Sequence, residues 1–512
     1  MIQIIISKAD SYEFYYIRQF IMKTQNFYFL KNLLRRTMIS CALLCGFSAS
    51  VAASAPSVKN TDHSKPEIAL ADSTYVKIAL SQISPQLNYP KLVEQFYKNR
   101  RFSIIWVKPD TVKSEIYKSM LLMDCVLQFG LNRDDFHPGK LTYDLLKPLV
   151  QVRSNPQEKG NFDVYLTDAL ITLVIHLHYG KFNPVYTSEV LEGGKQSGFD
   201  PVAHLTAALY ARDFMETVVS AQPKMQMYRL LQDYLHLVKG QYIDDCYEFP
   251  EGDARKMAIN MERMRWINSG DDYYIHINIP SYSLKLLRGD SIILFKTVVG
   301  KPSTPTPELE SQVNYMTTAP EWKVPQKIFA KELLPKALRD SSYLNNNHYG
   351  IYDLKGNYIA ITRKKLQEIS VHPGLYLARQ SPGCDNALGK IVFRFPNRFD
   401  IYLHDTPEQK LFKKESRSFS HGCVRVENAD RLARLLLEYD GAGGRIPKMN
   451  ESLEKMQRRN FALTHPVPIK ITYFTCEIDD GMFRSYPDIY KRDAALEQMM
   501  FPSKVQLAGT KK

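Results

Sequence analysis

The chain has 512 residues, of which 44% are hydrophobic and 24% charged, and its formal net charge is +13. A chain of this length forms about two to four domains and buries a large core, so a disulfide-stapled mini-protein, a collagen and a disordered tail are excluded. Lysine and arginine are spread along the whole length, and no zinc finger, RRM or basic-zipper pattern occurs, so nucleic-acid binding is not predicted. The charge fits an anionic partner without identifying it.

The first 52 residues are typical of a secretory signal peptide. Basic residues precede an uncharged run, and small residues follow at Ala52 and Ala53. A start at Met22 would give a more usual signal, and the run is nearly long enough to remain as an uncleaved signal anchor. We therefore expect export to the periplasm or cell envelope, with residues 53–73 as a linker.

Residues 74–250 are predicted to form a mainly helical domain. Apolar residues recur at spacings of three and four in KLVEQFYKNR, YKSMLLMDCVLQFGL and LTDALITLVIHLHYG, as they do on the buried face of a helix. Gly130 and Gly180 stand where helices commonly end, since glycine adopts the left-handed conformation without strain. We expect these apolar stripes to build a packed helical core.

The composition changes over residues 251–495, which are predicted to form a β-rich domain. Runs rich in Ile, Val, Tyr and Phe alternate here with Gly, Pro, Asn and Asp turns, as in YYIHINIPSYSLKLL, SIILFKTVVG, GKIVFRFPN, FDIYLHD and VPIKITYFTCEID. The mixed stretch from about 316 to 385 is predicted to be an inserted lid subdomain, and residues 496–512 a tail. The predicted fold class is therefore α+β, with a helical domain followed by a β-rich one.

The sharpest chemical feature is Cys423 within SFSHGCVRV, preceded by FDIYLHDT with His404. A free thiol has a pKa of about 8.5 and the thiolate is the nucleophile, so a reactive cysteine needs a base nearby. GKIVFRF and FDIYLH flank a short turn, which predicts a hairpin whose second strand presents His404 at a sheet edge. Gly422 would let backbone amides converge beside the sulfur as an oxyanion hole, and Asn428 would N-cap the next helix.

The residues alone also allow interpretations without catalysis. A cysteine beside a glycine is often a small buried hydrophobe. A zinc site of His404, His421 and Cys423 would have an incomplete ligand set, so no metal is predicted.

Five cysteines follow the signal: Cys125, Cys246, Cys384, Cys423 and Cys476. This odd number leaves at least one thiol unpaired and allows at most two disulfides.

His404 followed by Ser-His-Gly-Cys at 420–423 resembles the motif of the YkuD-type L,D-transpeptidases. Further segments resemble the large YcbB-like subgroup: NMERMRW, NIPSYSL, VVGKPSTPTP, PEWKVP, PGCDNALGKIVFRFPNRFDIYLHDTP and the C-terminal YFTCEIDDGMFRSYPDIYKRD. The resemblance is strong over about 255–495 and looser over 80–240, which is similar to the scaffold domain of the family. Many members carry a peptidoglycan-binding module between the two parts, where this chain has only the short stretch from Gly240 to Arg255.

The resemblance implies a role for each matching residue. Cys423 would be the nucleophile, His404 its base and the backbone carbonyl of Asp405 the group that orients His404. Backbone amides at Gly422 and Cys423 would hold the oxyanion. The remaining motif and site-shaping residues are Ser420, His421, Arg425 and Tyr376, the last in the predicted lid.

The resemblance also implies a two-step acyl transfer. The thiolate would attack the third residue, usually diaminopimelate, of a donor tetrapeptide stem. D-Ala would leave, and an amine of a second stem would take the acyl group to give a three-to-three peptidoglycan crosslink. It implies no cofactor, stem peptides and wall-synthesis proteins as partners, and trapping of the thiol by carbapenems. An L,D-carboxypeptidase with the same dyad and a noncatalytic wall-scaffolding protein are the alternatives.

Overall fold

The computed structural model describes residues 65–108, 115–151, 154–193, 198–239, 251–267 and 270–502. From Lys65 onward these residues belong to one compact unit. The predicted signal peptide, most of the predicted linker, residues 240–250 with Cys246, and the end of the predicted tail lie outside the described residues.

The N-terminal part of this unit consists of helices packed around one central helix, as the apolar spacing predicts. The helices are α1 (Lys65–Ile83), α2 (Pro90–Lys98), α3 (Glu115–Asp124), α4 (Tyr143–Leu149), α5 (Pro156–His178), α6 (Ser188–Glu192), α7 (Pro201–Leu209), α8 (Phe214–Val219), α9 (Gln226–Lys239) and α10 (Glu251–Met264). Every residue of α5 from Phe162 to Leu177 is buried. Gly130 and Gly180 have positive φ at helix ends, which confirms their predicted positions.

A buried carboxylate ties a loop to the central helix. Asp163 of α5 accepts hydrogen bonds from the backbone N–H groups of Trp106 at 2.7 Å, Ile105 at 3.0 Å and Val107 at 3.0 Å. The Tyr97 hydroxyl donates to the same carboxylate at 2.6 Å. Four donors offset the cost of burying this polar group, so the site fixes the loop at 105–107 against α5.

The C-terminal part is built on a mixed sheet. Its strands and those of two small sheets are β1 (Tyr273–Asn278), β2 (Ser283–Arg288), β3 (Ser291–Gly300), β4 (Leu309–Thr318), β5 (Trp322–Lys323), β6 (Tyr349–Asp353), β7 (Tyr376–Gln380), β8 (Ile391–Arg394), β9 (Leu403–His404), β10 (Ser418–Ser420), β11 (Val424–Val426), β12 (Arg459–Thr472), β13 (Cys476–Asp479) and β14 (Met482–Ser485). The order in the main sheet is β10-β3-β11-β9-β8-β4-β12-β1-β2. Because β3 also pairs with β2, eight strands close into a ring and β10 lies outside it against β3.

The helices of this part are α11 (Gln326–Ile328), α12 (Leu334–Arg339), α13 (Tyr343–Asn346), α14 (Arg363–Val371), α15 (Ala429–Tyr439), α16 (Ile446–Glu454) and α17 (Asp493–Met500). The inside of the ring is apolar and includes Leu403, Val424 and Val426. Leu432 and Leu436 of α15 pack into the same core. The site strands β9 and β11 are therefore anchored from the inside by their own alternate side chains.

Residues between β4 and β8 form a subdomain with its own core. Strands β5, β7 and β6 make a three-stranded sheet, and α11–α14 lie beside it. A separate cluster of buried residues includes Phe329, Leu333, Ile351 and Leu366. That this inserted subdomain acts as a lid stays a prediction.

The helix α10 connects the helical part to the sheet part. The guanidinium of Arg265, just after α10, donates to the Phe129 carbonyl at 2.5 Å and to the Tyr228 hydroxyl at 2.9 Å. Asn260 of α10 donates to the Thr475 hydroxyl at 3.0 Å. These buried contacts join residues far apart in sequence into one unit.

The described cysteines, Cys125, Cys384, Cys423 and Cys476, all carry free thiols, so no disulfide forms among them. In the described part of the chain, none of the helices combines the length and the apolar character needed to cross a membrane.

Candidate active site

His404 lies in β9, and Cys423 lies directly before β11, the strand that pairs with β9. β9 is parallel to β11, with Leu403 beside Val424 and His404 beside Arg425. Aligned residues of parallel strands point to the same face, and residues two apart share a face. His404 and Arg425 therefore lie on the face opposite Leu403 and Val424, whereas Cys423, directly before β11, also packs against the apolar core.

The predicted hairpin is confirmed, but the predicted edge position of His404 is wrong. Val392 of β8 pairs with His404 of β9 in antiparallel fashion, as the hairpin requires. β9 is flanked by β8 on one side and β11 on the other, so it is an inner strand. The sequence showed the hairpin because its strands are local, whereas the pairing with β11 joins residues about twenty positions apart.

The Cys423 turn passes over the end of β3. β10, before the turn, and β11, after it, pair with opposite sides of β3. Gly422 has φ +119°, a conformation that an L side chain rarely adopts, so this position requires glycine. The Cys423 sulfur accepts a hydrogen bond from the Tyr402 N–H at 3.4 Å, and the Val424 N–H donates to the Tyr402 carbonyl at 2.9 Å. The sulfur is thus hydrogen-bonded to the backbone directly before β9.

Ser420 holds the turn closed. Its hydroxyl donates to the Cys423 carbonyl at 2.5 Å and accepts from the Gly422 N–H at 3.1 Å. The Gly422 amide, predicted to help form an oxyanion hole, therefore has an internal partner in this state. The buried Thr306 hydroxyl also donates to the Gly422 carbonyl at 2.8 Å, which fixes the turn from the side of the 298–307 segment.

The imidazole of His404 is buried and forms hydrogen bonds with the backbone of Asp405 and of Leu388. Nδ1 lies 2.5 Å from the Asp405 carbonyl oxygen, the contact predicted to orient the ring. Burial lowers the pKa of His404 to about 3, and the positive charge of Arg425 acts in the same direction. The ring is therefore neutral at physiological pH and able to accept a proton.

Two arginines provide positive charge around the sulfur. Burial raises the pKa of the Cys423 thiol, whereas the Tyr402 N–H, Arg425 and Arg394 lower it. Arg425 forms an ion pair with Glu408, and Arg394 lies over the Tyr402 ring at 4.4 Å. The positive charges of Arg425 and Arg394 thus partly offset the effect of burial on the thiol.

The other predicted site residues lie in the Cys423 turn, in the inserted subdomain and before α15. His421 extends from the turn, and its Nε2 lies 2.6 Å from Glu332 Oε1 of the inserted subdomain. Tyr376 lies in β7, where its ring packs against the core of that subdomain, so its contact with substrate stays a prediction. Asn428 precedes α15 in the left-handed conformation and makes no capping bond through its side chain, so the predicted N-cap contact is wrong.

A cavity of about 590 Å³ lies beside the turn that follows His404. Asp405 and Thr406 line it, together with Lys390, Asn428 and Arg434. Among the described residues no group of His, Cys, Asp and Glu could hold a metal ion.

Sequence reasoning missed three residues that shape this site. Arg394 stood in the predicted strand GKIVFRFPN at an alternating polar position, which was a usable signal for an outward-facing charge. Thr306 and Glu332 had no local signal, because each meets the Cys423 turn only through the tertiary fold.

The helical part, the closed ring of strands and the Ser-His-Gly-Cys turn define an acyltransferase of the L,D-transpeptidase class. The family profile of the L,D-transpeptidase catalytic domain, YkuD, matches residues 272–449, and the scaffold-domain profile matches residues 91–235. The chain therefore combines the catalytic domain of the L,D-transpeptidase family, YkuD, with a scaffold domain, which is the YcbB-like architecture. Proteins of this family act on peptidoglycan.

Two known proteins are similar to this chain. A Haemophilus influenzae protein provisionally named an L,D-transpeptidase is 28% identical over 418 residues, which cover 80% of this chain and 79% of the relative. The crystal structure of Mycobacterium tuberculosis L,D-transpeptidase 1 matches with 13% identity and a TM-score of 0.15, over 40% of this chain and 62% of that chain.

Proposed function

We propose that the protein forms three-to-three peptidoglycan crosslinks through a thioester on Cys423. The observation that carries this proposal is the position of Cys423 directly before β11, with its sulfur 3.4 Å from the Tyr402 nitrogen two residues before His404 of the paired strand β9. A neutral imidazole held at Nδ1 leaves Nε2 to take the thiol proton as the sulfur attacks.

The first step joins the sulfur to the carbonyl carbon of the third residue of a donor tetrapeptide. His404 takes the thiol proton and returns it to the leaving nitrogen, so that D-Ala departs as the free amino acid and a thioester remains. The Cys423 N–H lies at the turn where negative charge develops on the carbonyl oxygen. The Gly422 N–H becomes a second donor to this oxygen when the Ser420 hydroxyl, its present partner, turns away.

In the second step an amine of another stem, a diaminopimelate side chain, attacks the thioester. His404 accepts a proton from this amine, the new amide bond forms as the carbon–sulfur bond breaks, and His404 returns the proton to the Cys423 sulfur. Water in place of the amine would give a tripeptide, which is the L,D-carboxypeptidase reaction. The two activities share the acyl-enzyme and differ in which nucleophile reaches it.

The test uses residues 53–512 incubated with disaccharide tetrapeptide, followed by intact-mass and product analysis. We expect a Cys423 adduct, release of D-Ala and a crosslinked dimer, and none of these in Cys423→Ala. Cys384→Ala is the matched control, because Cys384 is an exposed thiol on another loop. A tripeptide as the sole product would establish the carboxypeptidase, and crosslinking by Cys423→Ala would disprove the mechanism.

We also propose that the protein works in the periplasm or cell envelope, where its substrate lies, and meets wall-synthesis proteins there. The basis is the sequence of residues 1–52, with its basic residues, uncharged run and small residues. N-terminal sequencing of the protein from an envelope fraction tests this proposal, and a cytoplasmic chain beginning at an uncleaved methionine would contradict it.

A further inference from the structure

A hydrogen-bonded pair of side chains joins the inserted subdomain to the Cys423 turn. His421 Nε2 and Glu332 Oε1 are 2.6 Å apart, with side chains that are 34% and 42% exposed. His421 lies two positions before Cys423, and Glu332 lies between β5 and β6. The contact therefore joins the subdomain to the turn that carries the proposed nucleophile.

Glu332 is held in place by the residues around it. It lies in the wide helical turn Phe329–Leu333, which connects α11 to α12 and has the π-helical form. Phe329 and Leu333 are buried in the core of the subdomain. With its neighbours anchored on that side, the Glu332 carboxylate is directed outward, and π-type turns commonly occur at functional positions.

The other attachment of the subdomain is a two-stranded neck. β4 enters the subdomain and β8 leaves it, with Thr318 beside Ile391 and the Ala319 N–H donating to the Lys390 carbonyl at 2.8 Å. A subdomain joined to the sheet by such a neck can rotate about it. The Glu332–His421 pair, far from the neck in sequence, is suited to fix one orientation of that subdomain.

We propose that Glu332 is a positioning residue that docks the inserted subdomain on the Cys423 turn through His421. The docked state limits the access of water and solutes to Cys423, and so preserves the thioester for an amine acceptor. This inference rests on the proposed function for its consequence, but the docking itself does not depend on the reaction.

The partial exposure of the His421 and Glu332 side chains agrees with a contact that opens in each catalytic cycle. A partly exposed pair of polar side chains, even when both are charged, shifts an equilibrium by about fivefold at most, because water and salt screen it. Such a contact biases the subdomain toward the docked state without preventing the exchange of long stem peptides. A deeply buried pair would cost far more to break.

The experiment compares Glu332→Ala, Glu332→Gln and Glu321→Gln with the unaltered protein. Glu321 is the matched control, since it pairs with Arg379 within the same subdomain at 3.6 Å. The first measurement is the rate of Cys423 alkylation by iodoacetamide in the Cys384→Ala background. The second is the rate at which the thioester is hydrolysed, followed by intact mass.

We expect Glu332→Ala to raise both rates by about fivefold, while the control leaves them unchanged. Glu332→Gln should have a smaller effect, because an amide still forms a hydrogen bond with the ring. His421→Ala should resemble Glu332→Ala, and the variant that carries both changes should add nothing further. Equal alkylation rates in Glu332→Ala and the unaltered protein, with melting temperatures also equal, would overturn the docking proposal.

The alkylation measurement separates the two proposals. If the unaltered protein forms no thioester, the proposed function fails, yet a faster alkylation of Glu332→Ala would still establish docking. If the thioester forms and Glu332→Ala changes neither its lifetime nor the alkylation rate, the proposed function stands and the docking role fails.

Discussion

The backbone carbonyl oxygen of Asp405 lies 2.5 Å from Nδ1 of the neighbouring His404. A carbonyl accepts only, so the proton resides on Nδ1 and Nε2 keeps its lone pair. The Asp405 carboxylate accepts from the Lys390 N–H at 2.9 Å and from Gln409 at 3.3 Å. The proposed base, His404, is thus positioned by Asp405, a residue whose own side chain is held by the backbone of Lys390, next to Gly389.

Gly389→Ala is predicted to impair the base without touching it. Gly389 has φ +63°, and a Cβ there would lie 2.6 Å from the Asp405 carbonyl carbon and 2.5 Å from Oδ2. Relief of this clash must move Asp405 and rotate the His404 ring. A displacement near 1 Å costs on the order of 100-fold in rate, so we expect thioester formation to slow by about that factor.

Gly374→Ala is the control for this change, because its Cβ would meet no atom within 4 Å. Both variants are assayed by intact mass at a temperature where circular dichroism shows them folded. Thioester formation at the unaltered rate in Gly389→Ala would mean that the Asp405 carbonyl does not set the ring orientation.

Arg425→Gln is predicted to move the pH dependence of the thiol. The positive charge of Arg425 lowers the pKa of Cys423, so its removal should raise that pKa. The midpoint of iodoacetamide alkylation against pH then moves to higher pH, and below it the rate falls about tenfold for each unit of displacement. Alkylation measured between pH 6 and 10 in the Cys384→Ala background gives this midpoint.

The control for this prediction is Arg434→Gln, since Arg434 forms an exposed pair with Asp430 on α15. We expect Arg394→Gln to move the midpoint in the same direction as Arg425→Gln by a smaller amount, because its charge has the lesser influence on the thiol. An unchanged midpoint in Arg425→Gln would show that its guanidinium does not stabilise the thiolate.

The helical half of the fold and the two central site residues were predictable from the sequence, because their signals are local. The apolar stripe of α5 has helical spacing, and His404 and Cys423 both belong to a recognisable sequence motif. The hairpin of β8 and β9 followed from two apolar runs around a turn. Each of these features depends on a short segment read by itself.

The features that were not predicted depend on pairing between distant segments. β9 has two residues and β11 three, too few for an alternating pattern to show. β4, with the sequence LESQVNYMTT, is mixed in polarity along its N-terminal half and is not predicted as a strand. The closure of the ring by β2 and β3 and the contact of Glu332 with His421 likewise arise only when the tertiary structure forms.

Buried histidines are predicted to make the protein unstable in mild acid. Burial lowers the pKa values of His176, His276 and His404 to about 3 each. In the unfolded chain they titrate near pH 6.5, so between about pH 6.5 and 3 the unfolded state binds protons that the folded state excludes. The free energy of unfolding therefore decreases as the pH is lowered through this window, by up to about 1.4 kcal/mol per pH unit for each histidine.

His276→Gln tests this relationship away from the active site. His276 Nε2 lies 2.8 Å from the Thr472 hydroxyl, a hydrogen bond that glutamine can reproduce without titrating. Urea unfolding between pH 4.5 and 7.5 should show a slope of stability against pH that is lower by about 1 kcal/mol per pH unit in the variant. His372→Gln, at an exposed position, should keep the original slope. Parallel curves for His276→Gln and the unaltered protein would mean that His276 takes up its proton within the folded state.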